Sequence, residues 1–231
     1  MSEEVRPLTD LRLKTPRAAA VAGILFAVLL IVANVLIRLS IPANPADGGV
    51  LLEEQAKTVA LALSLVPIAG IAFLWFIGVV RDRMGQLEDR FFSSVFLGSG
   101  LLYLGLTFVS AAMAAGLLTS YALESDKLIA SGVYTYSRAV MYRITNVYAI
   151  RMAGVFMISL GTISVRTRIM HRGLAVLTYV LALFLLLSIG LSLWVSVIFP
   201  SWVLIVSIYI LVANLRRNGT GAAGDPSNQA E

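Results

Sequence analysis

The chain of 231 residues has no cysteine and a single histidine, His171. Without cysteine there is no disulfide, no thiolate metal ligand and no thiol nucleophile. One histidine in an arginine-rich stretch cannot build a histidine metal set or a Ser-His-Asp triad within this chain. Charge is scarce too: 13% of residues are Asp, Glu, Lys or Arg, about half the ~25% usual for soluble domains. No Asp or Glu falls inside a long apolar run. That argues against a carboxylate proton relay, an acidic selectivity ring and a buried carboxylate pair for hydrolysis. Neither a metal nor a cofactor is called for.

What is abundant is hydrocarbon. Hydrophobic residues make up 58% of the chain and the mean hydropathy is +0.87. They come as long runs separated by short charged clusters, the pattern of membrane spans rather than of a soluble core. The runs predict an all-α integral membrane protein, a bundle of six transmembrane helices over residues 18–39, 58–80, 91–121, 144–165, 173–196 and 200–216. Residues 1–17 read as a polar leader. The first run is too long for a cleaved signal and reads as a retained span. Residues 218–231 lack aromatics and read as a disordered tail.

Three local signals refine this plan. Residues 173–215 carry no charge and are too many for one helix. Phe199-Pro200-Ser201-Trp202 reads as the turn that divides them, since proline suits a first helical position and Trp the interface. Pro67 with Gly70 predicts a kink in the second span. Gly98, Gly100, Ala111, Ala112, Ala115 and Gly116 in the third span, with Gly154 and Gly161 in the fourth, permit close helix approach. These residues put spans three and four at the centre. The third run also exceeds a bilayer's thickness, so its helix is tilted or projects. No inverted repeat relates the two halves.

Orientation follows from the basic residues. With the N-terminus inside, the leader, Arg81, Arg83, Arg90, Arg166, Arg168, Arg172, Arg216 and Arg217 put twelve Lys and Arg on the cytoplasmic side, leaving six outside. Both termini are then cytoplasmic, in the cell membrane. The net charge of +5 reads as this bias plus attraction to anionic lipid, and not as a nucleic-acid footprint.

Arg151 is the residue most at odds with its surroundings. Residues 152–165 are too few to cross a bilayer, so the fourth helix carries Arg151 in, roughly 7 Å below the outer boundary at ~1.5 Å per residue. Arg143, Val147 and Arg151 follow an i, i+4, i+8 spacing, with Asn146 and Tyr148 on the same segment. Asn34 and Arg38 occupy the matching outer turns of the first span. Facing inward, Arg151, Arg143, Arg38, Asn34, Asn146 and Tyr148 would form a cationic pocket for a phosphate, a carboxylate or a lipid headgroup. Snorkelling to the interface would account for the same arginines, and so would ion pairs with Asp47, Glu53, Glu54, Glu124 or Asp126.

The charged turn Arg81-Asp82-Arg83-Met84-Gly85-Gln86-Leu87-Glu88-Asp89-Arg90 is nearly neutral overall and reads as a salt-bridged reversal. With Thr15-Pro16-Arg17 before the first span, it resembles the plan of small bacterial membrane proteins, a likeness that carries over no functional residue. The function expected is a non-enzymatic accessory or scaffold protein that binds membrane lipids or another membrane protein, including a second copy of itself. The alternative is a small transporter or binding protein for an anionic or lipid-like substrate at the arginine cluster.

Overall fold

A computed structural model describes residues 15–40, 53–84, 90–166, 171–188 and 194–221. Among these every regular element is helical: α1 (Thr15–Ser40), α2 (Glu53–Met84), α3 (Arg90–Ala130), α4 (Val133–Arg143), a π-helical segment (Ile144–Ala149), α5 (Ile150–Arg166), α6 (Arg172–Leu187) and α7 (Val195–Gly221). Five helical stretches are long and apolar enough to cross a membrane. They are Ala18–Ser40, Glu54–Arg81, Phe91–Ala130, Val133–Arg166 and Val195–Leu215. α6 is apolar but has only 16 residues. Large apolar side chains such as Trp75, Val176 and Leu183 stand more than half exposed. Water would not tolerate that coat over so much of a surface, whereas lipid would. Among the described residues the chain is all-helical, with five helices suited to crossing a membrane.

Several expectations about the helices need correction. Phe199 to Trp202 is not a turn: α7 begins at Val195 and runs through Pro200. Pro200 lies in the second turn of α7, where it forgoes one helix hydrogen bond, a defect that membrane helices tolerate. The break before α7 instead follows Leu187, where Ser188 adopts an extended conformation. The fourth run starts earlier than residue 144, because α4, the π segment and α5 form one continuous stretch from Val133. Pro67 lies inside α2, which continues as one helical element on both sides of it, as a kink within a single span allows. α3 runs on to Ala130, with a break from helical geometry at Glu124 (φ −149°, ψ 68°). Residues 1–14 of the expected leader, residues 85–89 of the charged turn and residues 222–231 lie outside the described residues; α1 begins within the expected leader at Thr15, and α7 extends into the expected tail.

The centre of the bundle is aromatic. Phe26 of α1 stacks on Phe73 of α2 with centroids 4.5 Å apart, and Phe96 of α3 stacks on Phe156 of α5 at 4.5 Å. Phe199 of α7 meets Tyr103 edge-on at 4.5 Å and Phe73 at 5.8 Å. Five helices thus contribute rings to one cluster. In lipid, burying a ring gains nothing over leaving it against acyl chains, so helix association must come from such dense contacts; aromatic pairs add about 0.5–1.5 kcal/mol each.

Glycines set the closest approaches, though not all those expected. A Cβ at Gly154 would meet Leu186 Cγ at 3.0 Å and Ala182 O at 3.1 Å, and one at Gly161 would meet Thr178 Cγ2 at 3.1 Å, so α5 lies tight against α6. Gly100 is hemmed in by Ile77 and Phe156. Gly98 and Gly116 face open space. Hence α3 is peripheral rather than central: 11% of its most apolar window is buried, against 61% for the Val133–Arg166 stretch. The fourth run is central, as its glycines imply.

Candidate functional site

One end of the bundle does not close over the aromatic cluster. A cavity of about 1020 Å³ lies there, lined by the C-terminal turns of α1, the N-terminal turns of α2, the second half of α3, α4, the π segment and the start of α7. Phe199 and Tyr103 from the aromatic cluster form its floor. The volume is at the upper end for small-molecule sites, ~300–1,000 Å³.

Its charged and amide groups come from α1, α4 and the π segment, while α3 adds Thr107, Ser110 and Tyr121. Arg38 and Asn34 come from α1, Arg138 and Arg143 from α4, Thr145 and Asn146 from the π segment, and Ser196 from α7. Asn34 is held by its own helix, donating from Nδ2 to Leu30 O at 2.8 Å, while its Oδ1 accepts from Ser196 Oγ at 3.4 Å. Ser110 and Thr145 share a hydrogen bond at 2.8 Å that ties α3 to the π segment. Arg138 rests over the Tyr134 ring, 5.6 Å from its centroid, a cation–π contact that holds the side chain without neutralising it.

Asn146 is the most constrained of these groups. It is 7% exposed, and its Nδ2 donates to Tyr142 O at 3.2 Å. That bond fixes the amide orientation, since the flipped form would set two oxygens against each other. Oδ1 is then a buried acceptor with no hydrogen-bond partner among the described residues. The backbone beneath it is also unusual: the Ile150 N–H bonds to Thr145 O, five residues back, in place of the Asn146 carbonyl an α-helix would use. Such π segments persist mostly where a site needs them.

Of the six residues expected at the site, four line the cavity: Arg143, Arg38, Asn34 and Asn146. Arg151 and Tyr148 do not. Tyr148 is 57% exposed. Arg151 turns back along its helix and donates from Nη1 to Val147 O at 3.0 Å, because helical side chains lean toward the N-terminus. Arg138 was missed because it precedes the apolar run; its i, i+4 relation to Tyr134 and Tyr142 was the available signal.

The ion-pair reading finds no support among the described residues. Glu124 pairs with Lys127 at 2.9 Å on the surface, and no ion pair joins Arg38, Arg143 or Arg151 to Glu54, Glu124 or Asp126. Asp47 and the Glu53 side chain lie outside the described residues. The lining includes no Asp or Glu, and no group of His, Asp and Glu able to hold a metal occurs among the described residues. No protein-family model, curated protein or solved structure matches this chain.

Proposed function

We propose that this chain is a non-enzymatic, multi-pass protein of the cell membrane that binds an anionic, lipid-like molecule in the cavity, serving as a lipid-binding accessory element or a small carrier. One observation carries the reading. Arg38 and Arg143 reach a single cavity from two different helices, with Asn34 and Asn146 beside them and no carboxylate in the lining. Guanidinium groups brought in by two helices suit a phosphate or carboxylate, which each can grip through two parallel hydrogen bonds. The remaining lining is largely aliphatic, which suits hydrocarbon attached to that head.

The proposed topology has six spans and cytoplasmic termini. α6, though short, would serve as the fifth span, and the twelve-to-six partition of Lys and Arg supports the orientation. The cavity then opens toward the outer leaflet.

The test is thermal unfolding of the purified protein in a zwitterionic detergent, with phosphatidylglycerol, phosphatidylcholine or inorganic phosphate added. A bound ligand at 100 times its Kd stabilises by about 2.7 kcal/mol. Phosphatidylglycerol should raise the melting temperature, phosphatidylcholine should not, and Arg38→Ala with Arg143→Ala should erase the response. Equal shifts in native and variant proteins, or no shift with any anion, would sink the reading.

A further inference from the structure

We propose that the hydrocarbon of the bound molecule lies in a cleft between α2 and α3, so that the ligand is an anionic phospholipid admitted sideways from the bilayer. This deepens the lipid-binding reading and rests on it. The observation is an asymmetry of the walls. Everything α2 contributes to the cavity is apolar: Val59, Leu63 and Val66. α3 contributes Ala111, Ala114 and Leu118 together with the uncharged Thr107, Ser110 and Tyr121, so neither helix brings a charge or an amide. The arginines and amides of the lining all come from other elements, α1, α4 and the π segment.

The two helices touch at the closed end of the cavity, and both line it toward the open end. At the level of Gly70 the helices are in close contact, since a Cβ there would overlap Phe108 and meet Leu104 Cδ1 at 2.9 Å. Ala111 still packs with Val66 and Ala62 one turn higher. Leu63, between Ala62 and Val66 on α2, and Ala114 and Leu118, further along α3 than Ala111, line the cavity and are only half-buried. A chain with its phosphate between Arg38 and Arg143 finds no other side of the cavity free of charged or amide groups. A soluble phosphate ester would leave this apolar cleft unfilled, whereas an acyl chain matches it and can stay continuous with the bilayer.

The experiment uses a phosphatidylglycerol bearing a diazirine on its acyl chain, in phosphatidylcholine vesicles containing the full-length protein, with labelled peptides identified by mass spectrometry. Labelling should concentrate on residues 59–66 and 111–118 and saturate with added unlabelled phosphatidylglycerol. It should fall several-fold in the Arg38→Ala, Arg143→Ala double variant and in Ala114→Trp, which fills the cleft while leaving the arginines in place. Glycerol 3-phosphate should not compete; competition would show that the site takes a free phosphate ester and would overturn the inference. If phosphatidylglycerol still stabilises the protein through Arg38 and Arg143 but the label spreads evenly over the lipid-facing helices, the chain path is wrong and the headgroup site stands. Loss of both stabilisation and saturable labelling would remove the lipid-binding reading itself.

Discussion

Replacing Thr178 by Val should destabilise the protein by about 1–2 kcal/mol, although neither residue is near the cavity wall and their volumes nearly match. Thr178 Oγ1 donates to Leu174 O at 2.8 Å within α6 and accepts from Trp202 Nε1 of α7 at 2.9 Å. Both residues are fully buried. Valine removes the acceptor, and the indole N–H cannot reach water. Interhelical hydrogen bonds in membrane proteins average about 0.6 kcal/mol, because the unfolded chain in the membrane also finds partners. An orphaned buried donor costs more, about 1–3 kcal/mol. The Leu174 carbonyl adds little, since it keeps its place in the helix ladder. Equilibrium unfolding by sodium dodecyl sulfate in mixed micelles, followed by far-ultraviolet circular dichroism, measures the difference. Thr178→Ser should restore most of the stability. In a Trp202→Phe background, where no N–H remains to be orphaned, Thr178→Val should cost far less, giving a coupling of about 1 kcal/mol by double-mutant cycle. A Thr178→Val cost below ~0.3 kcal/mol, or one unchanged in the Trp202→Phe background, would refute the argument.

Four further outcomes follow from the packing and the site. Gly154→Val should cost about 1–3 kcal/mol in the same unfolding assay, since the Ala182 carbonyl 3.1 Å from its Cβ is backbone and cannot yield unless α6 moves. Gly98→Ala, with open space around it, should be neutral or stabilising by up to ~1 kcal/mol. Gly132→Ala should lose about 1–2 kcal/mol, because Gly132 joins α3 to α4 at φ 72°, where a Cβ is strained even without neighbours. Arg151→Ala should leave the phosphatidylglycerol-induced rise in melting temperature intact while Arg143→Ala lowers it; the reverse order would restore Arg151 to the site.

How much of this was legible beforehand depended on the physical scale of each signal. A membrane run is a sum over some 20 residues, so isolated exceptions do not hide it; the long apolar helices at 18–39, 58–80 and 91–121 are all present. A turn is decided by a few residues, and the same composition supports two answers. Pro200 tolerates the start of a helix as readily as it marks the residue before one, and α7 simply starts five residues earlier than the proline. Small residues posed a similar problem. Gly98 and Gly154 look alike in sequence, yet only Gly154 has a neighbouring helix at its surface. The aromatic cluster was invisible because its members come from five separate runs and share no spacing.

Arg151 was singled out by treating the fourth helix as a uniform α-helix with its arginines on one stripe. Depth alone made Arg151 seem the residue in need of an anion. A helical side chain at that depth has a cheaper solution, leaning toward its own N-terminus onto the Val147 carbonyl at 3.0 Å. The site is set one turn earlier, where the π segment turns Thr145 and Asn146 to the cavity and leaves Asn146 Oδ1 buried without a hydrogen-bond partner among the described residues. A buried acceptor of that kind is a standing cost of about 1–3 kcal/mol, larger than any gain a lone snorkelling arginine provides. A cost kept inside the wall of a cationic cavity is better evidence of binding than a charge that has already found a carbonyl.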